Sequence, residues 1–145
     1  MREILFRSKH HWNDEWTEGY LCKNIHDEFC IQPISDMRCS FVREDTIGQY
    51  TGLKDTNNKP IFEGDIIRFC AYAYDWQDES EWDIKTGVIK YEDGGFIIDD
   101  ICSSDGYNQL SCVYNEIHCG GSYDEYTLFE VIGNIHDNSE LLKGE

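Results

Sequence analysis

Short runs of aromatic and β-branched residues, each cut off by turn-forming residues, recur along the whole chain, while helical spacing of apolar residues is scarce. Such punctuation builds many short strands and leaves little for helices to pack with. Strands are expected at residues 3–6, 16–22, 29–34, 38–42, 61–74, 86–91, 96–101, 111–117 and 126–135. The strongest local signal is TGVIKYEDGGFIIDD, where two apolar runs flank Asp93-Gly94-Gly95. Glycines there tolerate the positive φ of a tight hairpin turn. Further turns are expected over residues 54–60, LysAspThrAsnAsnLysPro in order, and at Glu63-Gly64-Asp65. Near the C-terminus Asn138-Ser139-Glu140-Leu141-Leu142 offers a capping residue, an acid and two leucines, which predicts one short helix. The expected fold is all-β or β-dominated: a small barrel-like (SH3-like) β domain with hairpins and one short C-terminal helix. No linker, repeat or heptad marks a boundary, so residues 1–145 are read as one β-rich domain, with a division into 1–50 and 51–145 as the alternative.

Charge is the most unusual bulk property. The 12 Lys and Arg stand against 29 Asp and Glu, for a net charge of −17. A surface of that sign repels nucleic acid and anionic membrane, where association needs clustered cations. Cationic partners are favoured, and excess charge also keeps a protein soluble whether or not it binds anything. An aromatic content of 14% places the chain far from a disordered, hydrophobe-poor composition. The opening MREILFRSKHHWNDEW lacks the apolar run of a signal peptide, and no stretch approaches a membrane span. A cytoplasmic setting is expected, with the seven cysteines held as thiols.

Little in the sequence points to catalysis. Cys22, Cys30 and Cys39 are spaced too widely for a Cys-x-x-Cys knuckle, as are Cys102, Cys112 and Cys119. The adjacent pairs His10-His11 and His118-Cys119 would point their side chains apart on a strand. Buried thiols acting as small hydrophobes are the simpler reading. There is no Gly-x-Ser-x-Gly elbow, phosphate loop or dinucleotide fingerprint. No catalytic residue, metal ligand or cofactor is therefore assigned.

One segment suggests a working surface: Tyr72 to Asp83, which interleaves acids with aromatics. On a single extended strand Asp75, Glu79, Glu81 and Asp83 would share one face, opposite Tyr72, Tyr74, Trp76 and Trp82. A turn at Asp78-Glu79-Ser80 would break that register. The candidate binding residues are Tyr74, Asp75, Trp76, Asp78, Glu79, Glu81, Trp82 and Asp83. One such row spaces its charges roughly 6.8 Å apart, against roughly 1.7 Å of axis per charge in duplex DNA. Imitating DNA would need further rows, from Asp99-Asp100, Asp124-Glu125 or a second subunit.

Four stretches resemble the YopX family of phage-encoded proteins: ILFRSKHHWNDEWTEGYL, DTIGQYTGLKDTNNKPIFEGDIIRF, GVIKYEDGGFIIDD and FEVIGNIHDNSELL. IGQYTGLKD followed by IFEGDIIRF is the most specific. Two positions depart from the family pattern: Asn58 stands where a turn glycine is common, and Ser139 where proline often precedes Glu-Leu-Leu. Both residues suit turn and cap chemistry. The resemblance implies a small β-rich, self-associating protein of phages and prophages, and supplies no catalytic residues. The matched Gly48, Tyr50, Gly52, Gly64 and Asp65 are read as turn-makers.

Three functional classes remain open on the sequence. The first is a non-enzymatic binding protein, a homo-oligomer whose acidic surface engages a basic host protein, such as a nucleic-acid-binding enzyme that it inhibits. The second is an oligomer that binds a nucleotide-like signal, which would need Arg43, Lys54, Lys59, Arg68, Lys85 and Lys90 to converge. The third is a metal-dependent enzyme.

Overall fold

Short connections favour pairing of successive strand-forming runs in opposite directions, and antiparallel pairing dominates the described residues. The structure, a computed structural model, describes residues 3–71, 83–100, 108–109 and 129–142. The chain divides into two compact units, Met1–Leu53 and Lys54–Glu145.

The first unit contains strands β1 (Phe6–Lys9), β2 (Trp16–Lys23), β3 (Phe29–Pro33), β4 (Ser40–Phe41) and nearly all of β5 (Gly48–Lys54). Their order in the sheet is β4-β3-β2-β1-β5. Along β2 the buried Thr17 and Gly19 alternate with the exposed Glu18 and Tyr20, the period-two pattern of a strand with one covered face. The β2–β3 turn is tied by Asn24. Its Oδ1 accepts the N–H groups of His26 at 2.8 Å and Glu28 at 3.0 Å, while Asp27 takes a left-handed φ of 62°. A 3-10 turn at Glu44–Thr46 is held to β1 by buried hydroxyls. Ser8 Oγ lies 2.9 Å from the Arg43 carbonyl and 2.6 Å from Thr46 Oγ1, which accepts the Lys9 N–H at 2.9 Å.

β5 was not among the expected strands, because two glycines lower its strand propensity. Tertiary pairing overrides that: Gly48 and Gln49 sit opposite Arg7 and Phe6 of β1. In the other direction, the expected strand at 3–6 falls later, at Phe6–Lys9.

The second unit holds β6 (Pro60–Phe62), β7 (Asp65–Ala71), β8 (Asp83–Glu92), β9 (Gly95–Asp100), β10 (Asn108–Gln109) and β11 (Phe129–Asn134). Five of these form an antiparallel sheet in the order β10-β9-β8-β7-β11. Consecutive residues are buried at its centre: Ile66 with Ile67, Val88 with Ile89, and Ile97 with Ile98. That burial explains why these runs are continuously apolar instead of alternating. Phe69 and Phe129 are fully buried cross-strand partners with ring centroids 6.2 Å apart.

The expected hairpin is present. Glu92 and Gly95 pair across a two-residue loop in which Asp93 and Gly94 both have positive φ, 51° and 82°, the signature of a type I′ turn. Gly64, at φ 91°, turns the chain from β6 into β7; its N–H donates to the Ile89 carbonyl at 2.8 Å and its carbonyl accepts from Ile135 at 3.0 Å. The turn before β6 places Asn58 at φ 63°. Asparagine tolerates that conformation and glycine adopts it freely. Asn58→Gly is accordingly expected to leave stability unchanged or raise it by up to about 0.5 kcal/mol, and Asn58→Val to lower it by about 1–2 kcal/mol, in thermal denaturation.

Two expected features need correction. Among the described residues neither sheet closes into a barrel: the five-stranded sheet ends in β10 on one side and β11 on the other. The expected C-terminal helix is a 3-10 turn at Ser139–Leu142, with Leu141 N–H bonded to the Asn138 carbonyl. Asn138 does not cap forward into that turn; its Oδ1 accepts the Asn134 N–H at 3.2 Å. The expected strand at 111–117 lies outside the described residues. Among the described residues no helix is long and apolar enough to cross a membrane.

Candidate functional site

The carboxylates are divided unequally between the units. Residues 1–53 carry 6 Lys and Arg against 9 Asp and Glu, a net of −3, whereas residues 54–145 carry 6 against 20, a net of −14. The second unit holds nearly all of the excess charge.

Some of its acids build the fold. Asp55 is buried, its Oδ1 accepting the Asn57 and Lys59 N–H groups at 2.9 and 2.8 Å, and its Oδ2 accepting from Val131 at 3.0 Å. Asp65 is buried too, and its Oδ2 accepts the Phe62 N–H at 2.8 Å. Glu130 pairs with Arg68 at 3.1 Å, and Asp99 pairs with Lys90. Exposed pairs of this kind contribute at most about 1 kcal/mol each.

The topology of the second sheet shows where the chain leaves it and re-enters it. Ala71, the last residue of β7, is the direct partner of Asp83, the first of β8, so residues 72–82 leave and re-enter the sheet at one end. Asp100 ends β9 on the same side, opposite Gly87, and β11 starts nearby with Phe129 opposite Phe69. The chain thus leaves β9 and enters β11 on that side, with Asn108 and Gln109 of β10 paired to Ile98 and Ile97 in between. Together residues 72–83 and 100–128 contain ten Asp and Glu and no Lys or Arg. The opposite end of the sheet is formed by the tight turns at 63–64 and 93–94.

Of the candidate residues named from sequence, Tyr74, Asp75, Trp76, Asp78, Glu79, Glu81 and Trp82 lie outside the described residues. Asp83 opens β8. Of the residues read as turn-makers, Gly64 turns the chain at positive φ and Asp65, the first residue of β7, braces that turn by accepting the Phe62 N–H, whereas Gly48, Tyr50 and Gly52 lie within strand β5, Gly52 at positive φ. The cations considered for a phosphate ligand are partly engaged elsewhere. Arg43 lies in the first unit, 2.6 Å from Asp14 and 3.6 Å from Asp45, and Arg68 and Lys90 face the carboxylates already named.

Sequence spacing missed one grouping. Cys22 and Cys30 are direct cross-strand partners in the β2–β3 hairpin, and the Cys22 thiol donates to the Cys30 carbonyl at 3.5 Å. Cys39 joins them, its thiol donating to Gln32 Oε1 at 3.1 Å. Burial pushes the Cys22 thiol above its ordinary pKa, reinforced by the neighbouring Cys39 and Cys30; burial also raises that of Cys30. The expected strands 16–22 and 29–34 leave six residues between them and would set position 22 against 29; β2 runs one residue further, to Lys23, which shifts the register to Cys22 opposite Cys30. Among the described residues no three His, Cys, Asp or Glu side chains converge closely enough to hold a metal ion. His10 bridges to Val42, and His11 stacks edge-on against Trp12 at 5.0 Å.

Comparison with known proteins adds a family and a structural neighbour. No curated protein matches the chain. Among solved structures the chain is similar to protein EF1440 from Enterococcus faecalis, with a TM-score of 0.57 and 25% identity. That likeness covers 99% of this chain and 100% of the other. The YopX protein family matches residues 5–143, nearly the whole length and well beyond the four resembling stretches, and the chain belongs to the YopX family.

Proposed function

We propose that this protein is a non-enzymatic binding protein of phage origin whose acidic sheet end engages the basic surface of a host protein. What supports the reading is that the connections at residues 72–83 and 100–128, which carry ten carboxylates and no Lys or Arg, leave β7 and β9 and re-enter at β8 and β11 on one side of the second sheet. Carboxylates gathered without counter-charges within the roughly 8 Å screening length of physiological salt act as a single field and steer a cationic partner into contact. The aromatics of the same segments, Tyr72, Tyr74, Trp76 and Trp82 among them, are the residue types that anchor protein interfaces. A nucleic-acid-binding enzyme presents a basic surface of the required sign, and covering it would inhibit that enzyme. Self-association, which would multiply the acidic surface, accompanies this reading. Binding of a nucleotide-like signal is the weaker alternative, because Arg43, Arg68 and Lys90 already face carboxylates.

The test is capture from host lysate by tagged protein, run beside a variant in which Asp75, Asp78, Glu79, Glu81 and Asp83 are replaced by Asn or Gln. One basic protein is expected on the unmodified chain, with affinity falling at least about tenfold in the variant and falling further for the unmodified chain as salt rises. Equal capture of that protein by both forms, at every salt concentration, would overturn the proposal.

A further inference from the structure

The first unit gathers three thiols over one face of its sheet. Directly paired residues on antiparallel strands project to the same side, which puts Cys22 and Cys30 together. Residues two apart on a strand also share a side, so Gln32 lies on the face that carries Cys30. The Cys39 thiol bonds to the side chain of Gln32, and the chain between β3 and β4 thus folds Cys39 over that same face. Cys22 and Cys39 are exposed, whereas Cys30 is buried.

From this arrangement we infer that Cys22 and Cys39 form an oxidisable dithiol, converted to an intrachain disulfide by low-molecular-weight disulfides such as glutathione disulfide. The Cys22 thiolate attacks one sulfur of the glutathione disulfide, forming a mixed disulfide and expelling one glutathione thiolate. The Cys39 thiolate then attacks the Cys22 sulfur and expels the second. Two protein thiols are oxidised, one glutathione disulfide is reduced to two glutathione thiols, and the two protons lost by Cys22 and Cys39 end on the two expelled glutathione thiolates.

Cys30 is the poorer partner for Cys22. The Phe29 carbonyl accepts from Val42 and so faces β4, which turns the backbone groups of Cys30 towards β2. Cys22 and Cys30 are therefore a hydrogen-bonded pair, whose Cβ atoms sit farther apart than the roughly 3.8 Å a disulfide prefers. Cys39 stands on the turn segment before β4 and is free of that constraint. The raised pKa of Cys22 makes its thiolate scarce at neutral pH, so the reaction accelerates as pH rises towards and past the ordinary thiol range.

The reduced full-length chain is incubated with glutathione disulfide, and its disulfides are mapped by proteolysis and mass spectrometry. A form of the chain with Cys70, Cys102, Cys112 and Cys119 replaced by serine runs in parallel to keep the other thiols out of the readout. Cys22 and Cys39 peptides joined to each other, with the intact chain lighter by two hydrogens, is the expected result. The rate should rise severalfold for each pH unit between 7 and 8. In Cys39→Ser the expected product is instead stable glutathione on Cys22. A Cys22–Cys30 bond, glutathione persisting on Cys22 while Cys39 stays reduced, or no reaction of a folded chain would each overturn the proposal.

Discussion

Replacing Asp55 by alanine is expected to destabilise the second unit by about 3–5 kcal/mol, lowering its thermal midpoint by at least ~12 °C. The carboxylate is 6% exposed and accepts three backbone N–H groups, two within its own turn and one from Val131 of β11. Alanine removes both acceptor oxygens, and with them all three bonds, at once. Each bond to an ionised acceptor contributes about 1.5–3 kcal/mol, and the two turn bonds lie at the low end because Asn57 and Lys59 are exposed and water can replace the carboxylate there, whereas Val131 is half-buried. Thr56 adds to the same junction by donating its N–H at 2.9 Å and its hydroxyl at 3.0 Å to the Phe129 carbonyl. Asp55→Asn separates the contributions. Its single carbonyl oxygen serves either the turn or β11, and the amide nitrogen opposes a donor on the other side. An intermediate loss, about half that of alanine, is expected. Calorimetry of the two variants beside the unmodified chain decides the matter, and an alanine variant within about 0.5 kcal/mol of the original would show that β11 is held by its pairing with β7, the Thr56 bonds and its apolar contacts without help from the carboxylate.

Asp55 also shows where sequence reasoning stops. The turn around it was legible, because Asp, Asn and Pro advertise turns through local chemistry. Its second role was not, since the bond to Val131 joins residues 76 positions apart. The same divide runs through the fold. The Asp93-Gly94 hairpin follows from two adjacent positive φ angles, a local property. The barrel-like closure expected of so many short strands did not follow, because closure depends on which edge strands meet, and no local signal encodes that. Strand β5 was hidden by its glycines and exists through its partner β1.

The candidate site divides in the same way. The sign and amount of charge were plain in the sequence, but that both acidic connections leave the sheet on one side required the pairing of Ala71 with Asp83 and the direction of β9. The thiol grouping in the first unit needed the register of one hairpin as well as the side-chain bond from Cys39 to Gln32. Carboxylates that look alike in the sequence also separate by role. Asp55 and Asp65 are buried and committed to backbone donors, whereas Asp83 and Asp100 lie where two lysine- and arginine-free segments meet the sheet.

The second large effect is expected at Gly19, where alanine should disrupt the first unit. A Cβ built there would lie 2.0 Å from the Gln32 carbonyl oxygen, 2.7 Å from its carbon and 2.9 Å from the Pro33 Cα. All three are backbone atoms of the paired strand β3, so no side chain can swing aside. Relief requires β2 and β3 to separate at the Gly19–Pro33 pair, which strains the register carrying Leu21 opposite Ile31 and Cys22 opposite Cys30. Ile31 is fully buried, so displacement also disturbs the apolar core of the unit. Overpacking of this kind costs about 3 kcal/mol or more where the neighbour cannot yield. Two other glycines calibrate the result. Gly95 has open space around its Cβ position and no positive φ, and Gly95→Ala is expected to change stability by less than about 0.5 kcal/mol. Gly94 has the same space but a φ of 82°, and Gly94→Ala should cost about 1 kcal/mol through backbone strain alone. Denaturant unfolding of the three variants should therefore rank Gly19 far above Gly94, and Gly94 above Gly95. If Gly19→Ala behaved like Gly94→Ala, the two strands would have to be farther apart at this pair than the structure places them, and the hairpin register that brings Cys22 to Cys30 would fall with that spacing.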